Sequence, residues 1–460
     1  WADRLLLHLL PAENGPMLSA RPDPRVLIFT LVIATFTGLL FGLAPALGSR
    51  KIDIGVALKE QARTMAGSHA RFRRALAFTQ VFLLALLLMG AGLFVRSLRN
   101  LKMVDPGFRQ EHLIVFSVEP ALNGYLPARK AALYRDGLEQ LRGMPGVDGV
   151  GYNIIRLLDD WWGSPLTIEG YQPSANEPAW AVNNGVSPGY FATVGTPMIV
   201  GRDFLPGDGA ARQKIAVVNE TFVRRFFAGR SPIGRHLGYG VDPGTKADIE
   251  ICGVVKDAKY SQLREETMPE VFVNAEQIAD PMHANFYVRT NLPAESVFAA
   301  VRRTMTRVDP NLPIFGVRTM IEEVSENLSV PRMVATLALV FGGLAAFLAA
   351  IGLYGLLAFN VARRTREFGI RTALGAGPRE VVWLVVQEVL VLAGCGIGLA
   401  IPASFALARL ASSQIYGVGA VDPVSIIAAG ILLATVACVA AYLPAARAVR
   451  IDPVRALRYE

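Results

Sequence analysis

Hydropathy along the chain is sharply uneven, and that unevenness predicts its elements. Five apolar runs, residues 26–47, 75–95, 333–361, 381–408 and 424–446, stand out. Each is long enough to cross a hydrocarbon core, which takes roughly 20 apolar residues in helical form. Four of the five hold no Asp, Glu, Lys or Arg, and the fourth in order holds one carboxylate, Glu388. A soluble core helix rarely runs so far without a charge, so the pattern predicts five transmembrane helices.

Between the second and third runs the pattern changes. Residues 113–118, 215–219, 249–255 and 285–289 are short β-rich runs that read as strands. Residues 127–144, 221–227, 295–308 and 320–328 carry helical periodicity. Pro127 suits a first helical turn, where its missing N–H costs nothing. Glycine and proline pairs such as Pro188-Gly189 and Pro232-Ile233-Gly234 punctuate the middle as turns. Strands and helices mix without strict alternation, which predicts an α+β domain over residues 96–332.

Composition agrees with the membrane reading. Of 460 residues, 52% are hydrophobic and 18% charged, too apolar for an ordinary soluble protein. Charge then sets orientation. Residues 48–74, 362–380 and 447–460 together hold sixteen Lys/Arg against six acids, whereas 96–332 holds 26 basic and 27 acidic residues. Excess Lys/Arg in short loops marks the cytoplasmic face, so the α+β domain lies outside and the C-terminus inside. The net charge of +8 is therefore a topology signal. A basic stripe with interleaved aromatics is absent, which excludes nucleic acid as the partner. The three cysteines and five histidines show no CxxC, HExxH or other metal spacing, so no metal or cofactor is expected. No GxxxxGK[ST] string occurs, so the sequence offers no phosphate-cradling loop of that kind.

Two distant stretches repeat one another. Ala44-Pro45-Ala46-Leu47-Gly48-Ser49-Arg50-Lys51-Ile52-Asp53 closes the first apolar run, and Leu443-Pro444-Ala445-Ala446-Arg447-Ala448-Val449-Arg450-Ile451-Asp452 closes the last. Each continues to Ala-Leu and a basic residue. Such a repeat suggests the end of one unit followed by the whole of a second. The chain opens at Trp1 without a Met, which we read as a missing N-terminal portion of the first unit. The expected division is 1–63 for the end of that unit, 64–95 for a cytoplasmic loop and helix, 96–332 for the external domain and 333–460 for the last three spans.

The sharpest local signal is the loop Arg363-Arg364-Thr365-Arg366-Glu367-Phe368-Gly369-Ile370-Arg371-Thr372-Ala373-Leu374-Gly375-Ala376-Gly377-Pro378-Arg379-Glu380. A plain basic loop would need only the arginines. This string resembles the signature of FtsX/MacB-type ABC transporter permeases, Glu-x-Gly-x-Arg-x-Ala-x-Gly-Ala. The order of one span, a large external domain and three spans is similar to MacB. So are the strings Val186-Ser187-Pro188-Gly189-Tyr190-Phe191, Gly201-Arg202-Asp203-Phe204, Val217-Val218-Asn219-Glu220 and Ser231-Pro232-Ile233-Gly234-Arg235. The repeat most resembles the duplicated MacB-like permeases of the acidobacterial type.

What the resemblance implies is a membrane α-helical, FtsX-like permease with a MacB-type periplasmic core domain in a bacterial inner membrane. It implies a cytoplasmic ABC ATPase as partner, whose motion is passed to the periplasmic domain in efflux or envelope-related export. Further implied partners are a periplasmic or outer-membrane protein, the bilayer, and the missing N-terminal permease unit or a second copy. Carried over by motif, Arg363, Arg364, Arg366, Glu367, Gly369, Arg371, Ala373, Gly375 and Ala376 would form the ATPase-coupling contact. The permease would have no enzymatic activity of its own. The alternative is a non-transporting membrane scaffold or signalling protein that binds an envelope partner.

Other signals are weighed against bland readings. Gly185-Val186-Ser187-Pro188-Gly189 matches the GxSxG nucleophile elbow, but Pro188 has no N–H to give an oxyanion hole, so the hydrolase reading fails. Glu388 is an intramembrane carboxylate, read as a hydrogen bond to a neighbouring helix before a proton relay. Gly38 with Gly42, and Gly394 with Gly396 and Gly398, offer small-residue faces for close helix packing. Asn219-Glu220-Thr221 matches a glycosylation acceptor by chance.

Overall fold

The computed structural model describes residues 23–49, 61–159, 161–172, 178–209, 213–364, 370–371, 374, 377–411, 415–419 and 422–449. The chain begins with helices α1 (Pro24–Ser49) and α2 (Gln61–Lys102). Then follow β1 (Leu113–Val118), α3 (Pro127–Arg142), β2 (Val147–Asn153), β3 (Gly163–Ile168), β4 (Trp180–Val186), α4 (Tyr190–Val194) and β5 (Met198–Gly201). Next come β6 (Ile215–Asn219), α5 (Glu220–Phe227), β7 (His236–Tyr239), β8 (Ile249–Val255), β9 (Glu270–Asn274) and β10 (Ala284–Thr290). The chain continues through α6 (Ala294–Val308), β11 (Ile314–Thr319), α7 (Met320–Asn327), α8 (Ser329–Arg363), α9 (Pro378–Leu410) and α10 (Pro423–Val449). These elements form two units, one from Trp1–Lys102 with Ser329–Glu460 and one from Met103–Leu328.

In the first unit, four helices are long and apolar enough to cross a membrane: Arg74–Lys102, Ser329–Ala362, Val382–Leu410 and Pro423–Tyr442. The expectation was five. The first run, residues 26–47, is helical within α1, a helix of 26 residues whose described apolar stretch is Pro24–Phe36, so the described residues alone give four spans. The other four helices pack through faces that recur every fourth residue, as a helix requires. Ala349, Leu353, Leu357 and Val361 form the face of α8, and Ala429, Leu433, Ala437 and Ala441 that of α10. Val81, Leu84, Ala85, Leu88 and Met89 of α2 fill the space between them, with Val385, Val389 and Ala393 of α9.

The second unit is α+β. Strands β11-β1-β10-β2 lie in that order, all antiparallel. With α3 between β1 and β2 and α6 between β10 and β11, this is a ferredoxin-like βαββαβ arrangement, split by everything from β3 to β9. Its core stacks Phe116 on Phe286 at 5.3 Å, beneath Leu133, Leu141, Val301 and Met305 of the two helices. The inserted strands close on themselves. β3 pairs β4 and β7, β8 pairs β7 and β6, and β9 pairs β6 and returns to β4, giving a ring of six strands. Closure removes the free edges that invite aggregation. Phe222, Phe226 and Phe227 of α5 pack on the ring's core residues Val218, Leu237, Ile251 and Val271.

The ring joins the four-stranded sheet where Asn153 of β2 opposes Val186 of β4. Buried amides and hydroxyls hold this junction. Asn184 accepts from the Ile155 N–H and donates to the Ile155 carbonyl, and Asn153 donates to Tyr190 Oη at 2.9 Å. Gly151 lets α4 lie directly on β2, since a Cβ there would sit 2.6 Å from Tyr190 Cα.

Several sequence signals resolve as structure in this unit. Ser187 is fully buried and its Oγ accepts the Tyr152 N–H, while Gly189 takes φ +79, so the GxSxG string is a turn. Asn219 is 1% exposed and caps α5 by accepting from the Phe222 N–H, which takes it out of reach of any glycosylating enzyme. Cys252 is a buried free thiol, held above the usual thiol range at about 11 by burial.

Candidate functional site

Helix α2 is the hub of the membrane bundle, and three close approaches position it. A Cβ on Gly352 of α8 would meet Gln80 Oε1 at 2.3 Å, and the Gln80 amide donates to the Leu348 carbonyl at 2.8 Å. A Cβ on Gly396 of α9 would meet Val81 Cγ1 at 2.7 Å, and one on Gly92 would meet Ser425 Cβ of α10 at 2.9 Å. Small residues at crossings let backbones approach where lipid supplies no hydrophobic drive. Of the predicted faces, Gly396 thus makes the tight crossing, whereas Gly394 and Gly398 meet open space. The side chains of Gly38 and Gly42 lie outside the described residues.

The end of the bundle nearest the predicted coupling loop is tied by Glu388. Its Oε1 accepts from Arg74 Nη2 of α2 at 3.0 Å, and its Oε2 lies 3.6 Å from Arg364 Nη1, directly after α8. Three helices therefore meet at one carboxylate, roughly 15 Å along α9 from Pro378. An unpaired acid at the centre of a membrane helix costs roughly 3 kcal/mol, and two guanidinium groups remove the need for that cost.

Of the residues expected to couple to an ATPase, the structure describes few. Arg363 ends α8, and Arg364 makes the ion pair just given. Arg371 is exposed beside Ile370, which is 43% exposed, and Leu374 is 82% exposed, with its N–H donating to the Ile370 carbonyl over one helical turn. Gly377 caps α9 and Pro378 occupies its first turn. Arg366, Glu367, Gly369, Ala373, Gly375 and Ala376 lie outside the described residues, as do both repeats beyond their helices.

The opposite end of α2 carries a second tie that the sequence reading passed over. The Asp422 side chain is 3% exposed. It pairs with Arg96 of α2 and caps α10 by accepting the Ser425 N–H at 3.1 Å. Ser97 Oγ accepts the Tyr416 N–H and Asn100 donates to the Gly417 carbonyl, both at 2.8 Å. The signal was present as Asp422-Pro423-Val424-Ser425, a capping residue before a proline at the first helical position. Among the described residues no group of three His, Cys, Asp or Glu could hold a metal.

One membrane helix leading into a large α+β unit and three following it define a membrane protein of the permease class. Two families match in that order: MacB-like periplasmic core domain over residues 82–308 and FtsX-like permease C-terminal over residues 339–453. The chain belongs to the MacB/FtsX-type ABC transporter permeases. It is 26% identical over 290 residues to the ABC transporter permease YknZ of Bacillus subtilis, covering 61% of this chain and 70% of that one. It is 26% identical over 298 residues to the macrolide export ATP-binding/permease protein MacB of Bdellovibrio bacteriovorus, covering 60% of this chain and 43% of that one. The chain therefore spans under half the length of that MacB relative. Among solved structures, the periplasmic region of MacB from Actinobacillus actinomycetemcomitans aligns at 13% identity and TM-score 0.34, covering 48% of this chain and 95% of that one.

Proposed function

We propose that this chain is a permease subunit that takes its motion from a separate cytoplasmic ABC ATPase and delivers it to its periplasmic domain. The observation that carries this is the bundle interior. Its described core is filled by Val, Leu, Ala and Met side chains, and the charged ties sit near its ends. Such a bundle suits the transmission of movement better than the lining of a polar path. In this reading residues 363–376 receive the ATPase, and Arg364, Glu388 and Arg74 relay displacement from that segment to α2. Helix α2 and helix α8 continue in sequence into the two ends of the periplasmic unit, so a shift in either reaches it. In this reading the basic segments face the cytoplasm, with the coupling loop and the C-terminus there and the chain in the inner membrane. Efflux through a partner channel and envelope-related export both fit this arrangement.

The test reverses charge at the contact. Full-length chain carrying Arg371→Glu with Glu367→Arg should lose co-purification of an ABC ATPase while keeping its expression and thermal stability. Undiminished co-purification would sink the coupling assignment and favour a scaffold with a passive loop.

A further inference from the structure

The periplasmic unit carries two adjoining clefts that the permease reading does not use. The first, of about 260 Å³, is lined by Arg142 at the end of α3, by Val147 to Val150 of β2, by Gly189, Ala192 and Thr193 around α4, and by Arg289 of β10. The second, of about 280 Å³, shares Val147 with it. Its floor is apolar, with Met144, Leu292, Val297 and Ala300, and Arg303 and Arg307 of α6 flank it.

The first cleft sets two guanidinium groups, Arg142 and Arg289, beside one carboxylate, Asp148. Arg289 is half-buried and spends Nε, Nη1 and Nη2 on the carbonyls of Thr193, Glu111 and Arg109, at 2.6, 3.0 and 3.2 Å. Arg142 Nη2 donates to the carbonyls of Pro188 and Val150, at 2.7 and 3.3 Å. These bonds fix the two guanidinium groups and cancel no charge. Among the described residues, none of Arg142, Arg289, Arg303 and Arg307 pairs with a carboxylate. Asp148, at the rim, accepts from the Asn291 amide at 2.8 Å. Burial and the neighbouring Arg109 press against the charge on Arg289 and lower its pKa from the usual guanidinium value, with Glu111 and Asp148 opposing. Held cations facing an open cleft, beside an apolar floor that is exposed at Leu292, have the polarity of an amphiphile turned inside out.

We propose that the paired clefts bind an anionic amphiphile, with its phosphate or carboxylate at Arg142 and Arg289 and its alkyl chain over Leu292, Val297 and Ala300. This site is independent of the ATPase reading, since it can bind whether or not the chain is driven.

The test is calorimetric titration of the full chain in lipid nanodiscs, with empty discs as blank, using hexyl phosphate, inorganic phosphate and hexanol. Hexyl phosphate should bind about tenfold tighter than inorganic phosphate, the gain from burying roughly two methylenes, and hexanol should not register. Arg142→Gln should weaken hexyl phosphate about tenfold. Leu292→Ser should remove the advantage of the alkyl chain and leave phosphate binding unchanged. Thermal melts of both variants check folding, and Arg142→Gln is preferred to Arg289→Gln because Arg289 also braces three backbone carbonyls. Discs of anionic lipid should compete with hexyl phosphate if bilayer lipid is the source of the anion, and leave it unaffected if the amphiphile arrives in solution. Equal binding of phosphate and hexyl phosphate, equal binding of hexanol, an unaffected Arg142→Gln, or no binding at all would each overturn the proposal.

Discussion

The two ends of the membrane bundle solve one problem, a carboxylate among apolar helices, in different ways. Asp422 is 3% exposed, and its oxygens are taken up by Arg96 and by the start of α10. Glu388 is 33% exposed and is held by two arginines that are 57% and 49% exposed. The first is a structural cap whose removal leaves helix donors and a cation without partners. The second is a contact between exposed side chains, one of them from Arg364, directly after α8. The difference teaches which end is bound more tightly: the Asp422 end is closed over a buried carboxylate, and the Glu388 end is held by side chains that the bundle leaves exposed.

The largest expected effect therefore belongs to Asp422→Ala. It should lower stability by about 2–3 kcal/mol through the lost cap and the unpaired Arg96, which is exposed enough to soften the ~3–5 kcal/mol of a fully buried pair. Unfolding in detergent followed by circular dichroism measures it. A loss under about 0.5 kcal/mol would erase the distinction between the two ends.

Next comes Gly92→Val at the same end. A Cβ there meets backbone-anchored Ser425 atoms, so α2 and α10 must separate. The cost should be about 1–3 kcal/mol of overpacking, read in the same assay, with Gly90→Val, which meets open space, as the neutral control.

A third carboxyl sharpens the comparison from outside the membrane. Glu270 of β9 is 3% exposed, its Oε1 has no hydrogen-bond partner among the described residues, and burial, with Asp257 adding, holds its pKa well above the usual 4.5. A raised acid pKa favours folding below the ordinary carboxyl value, and that contribution is lost as pH rises toward the native value. Glu270→Gln should therefore flatten the stability of the chain between acid and neutral pH. At neutral pH it should raise stability, because the cost of burying the carboxyl is removed. An unchanged pH dependence would contradict the assignment.

The smallest stability effect should come from Glu388→Gln, under about 1 kcal/mol, because glutamine keeps an oxygen that accepts from Arg74 and carries no charge into the span. Its effect should appear instead in ATP turnover by the assembled transporter. The charge swap Arg74→Glu with Glu388→Arg should restore part of what either single change loses. If Glu388→Gln destabilises as much as Asp422→Ala, both ends are structural caps and the relay falls.

Much of this was legible in the sequence. Four spans, β1, β6 and β8, and helices α3, α5, α6 and α7 follow from periodicity, because each is a local pattern facing one core. The strands that went unread carry reasons in their residues. β2 holds Gly149 and Gly151 so that α4 can lie on it, β3 holds Pro165, and β4 holds Asn183 and Asn184 for the junction between the two halves of its unit. β11 bends through Gly316 at φ +55. Closure of the six-stranded ring joins β4 to β9 across 88 positions of chain, a pairing that no local window records. The string over residues 363–376 stood out because its glycines and alanines exceed what a basic loop needs. Glu388 was visible as the one acid in its span, but its two arginines were not, since Arg74 lies 314 positions away. Asp422 was missed because it stands at the end of an apolar run, where a lone acid reads as a loop residue.

The central claim is that the Arg371 end of the bundle receives an ATPase. The most direct measurement places a photo-crosslinking amino acid at position 371 of the full chain in native membranes, with position 99 at the other end of α2 as control. The account predicts a product at 371, identified by mass spectrometry as an ABC ATPase with a GxxxxGK[ST] loop, and none at 99. Absence of such an ATPase at 371, or equal capture from 99, would contradict it.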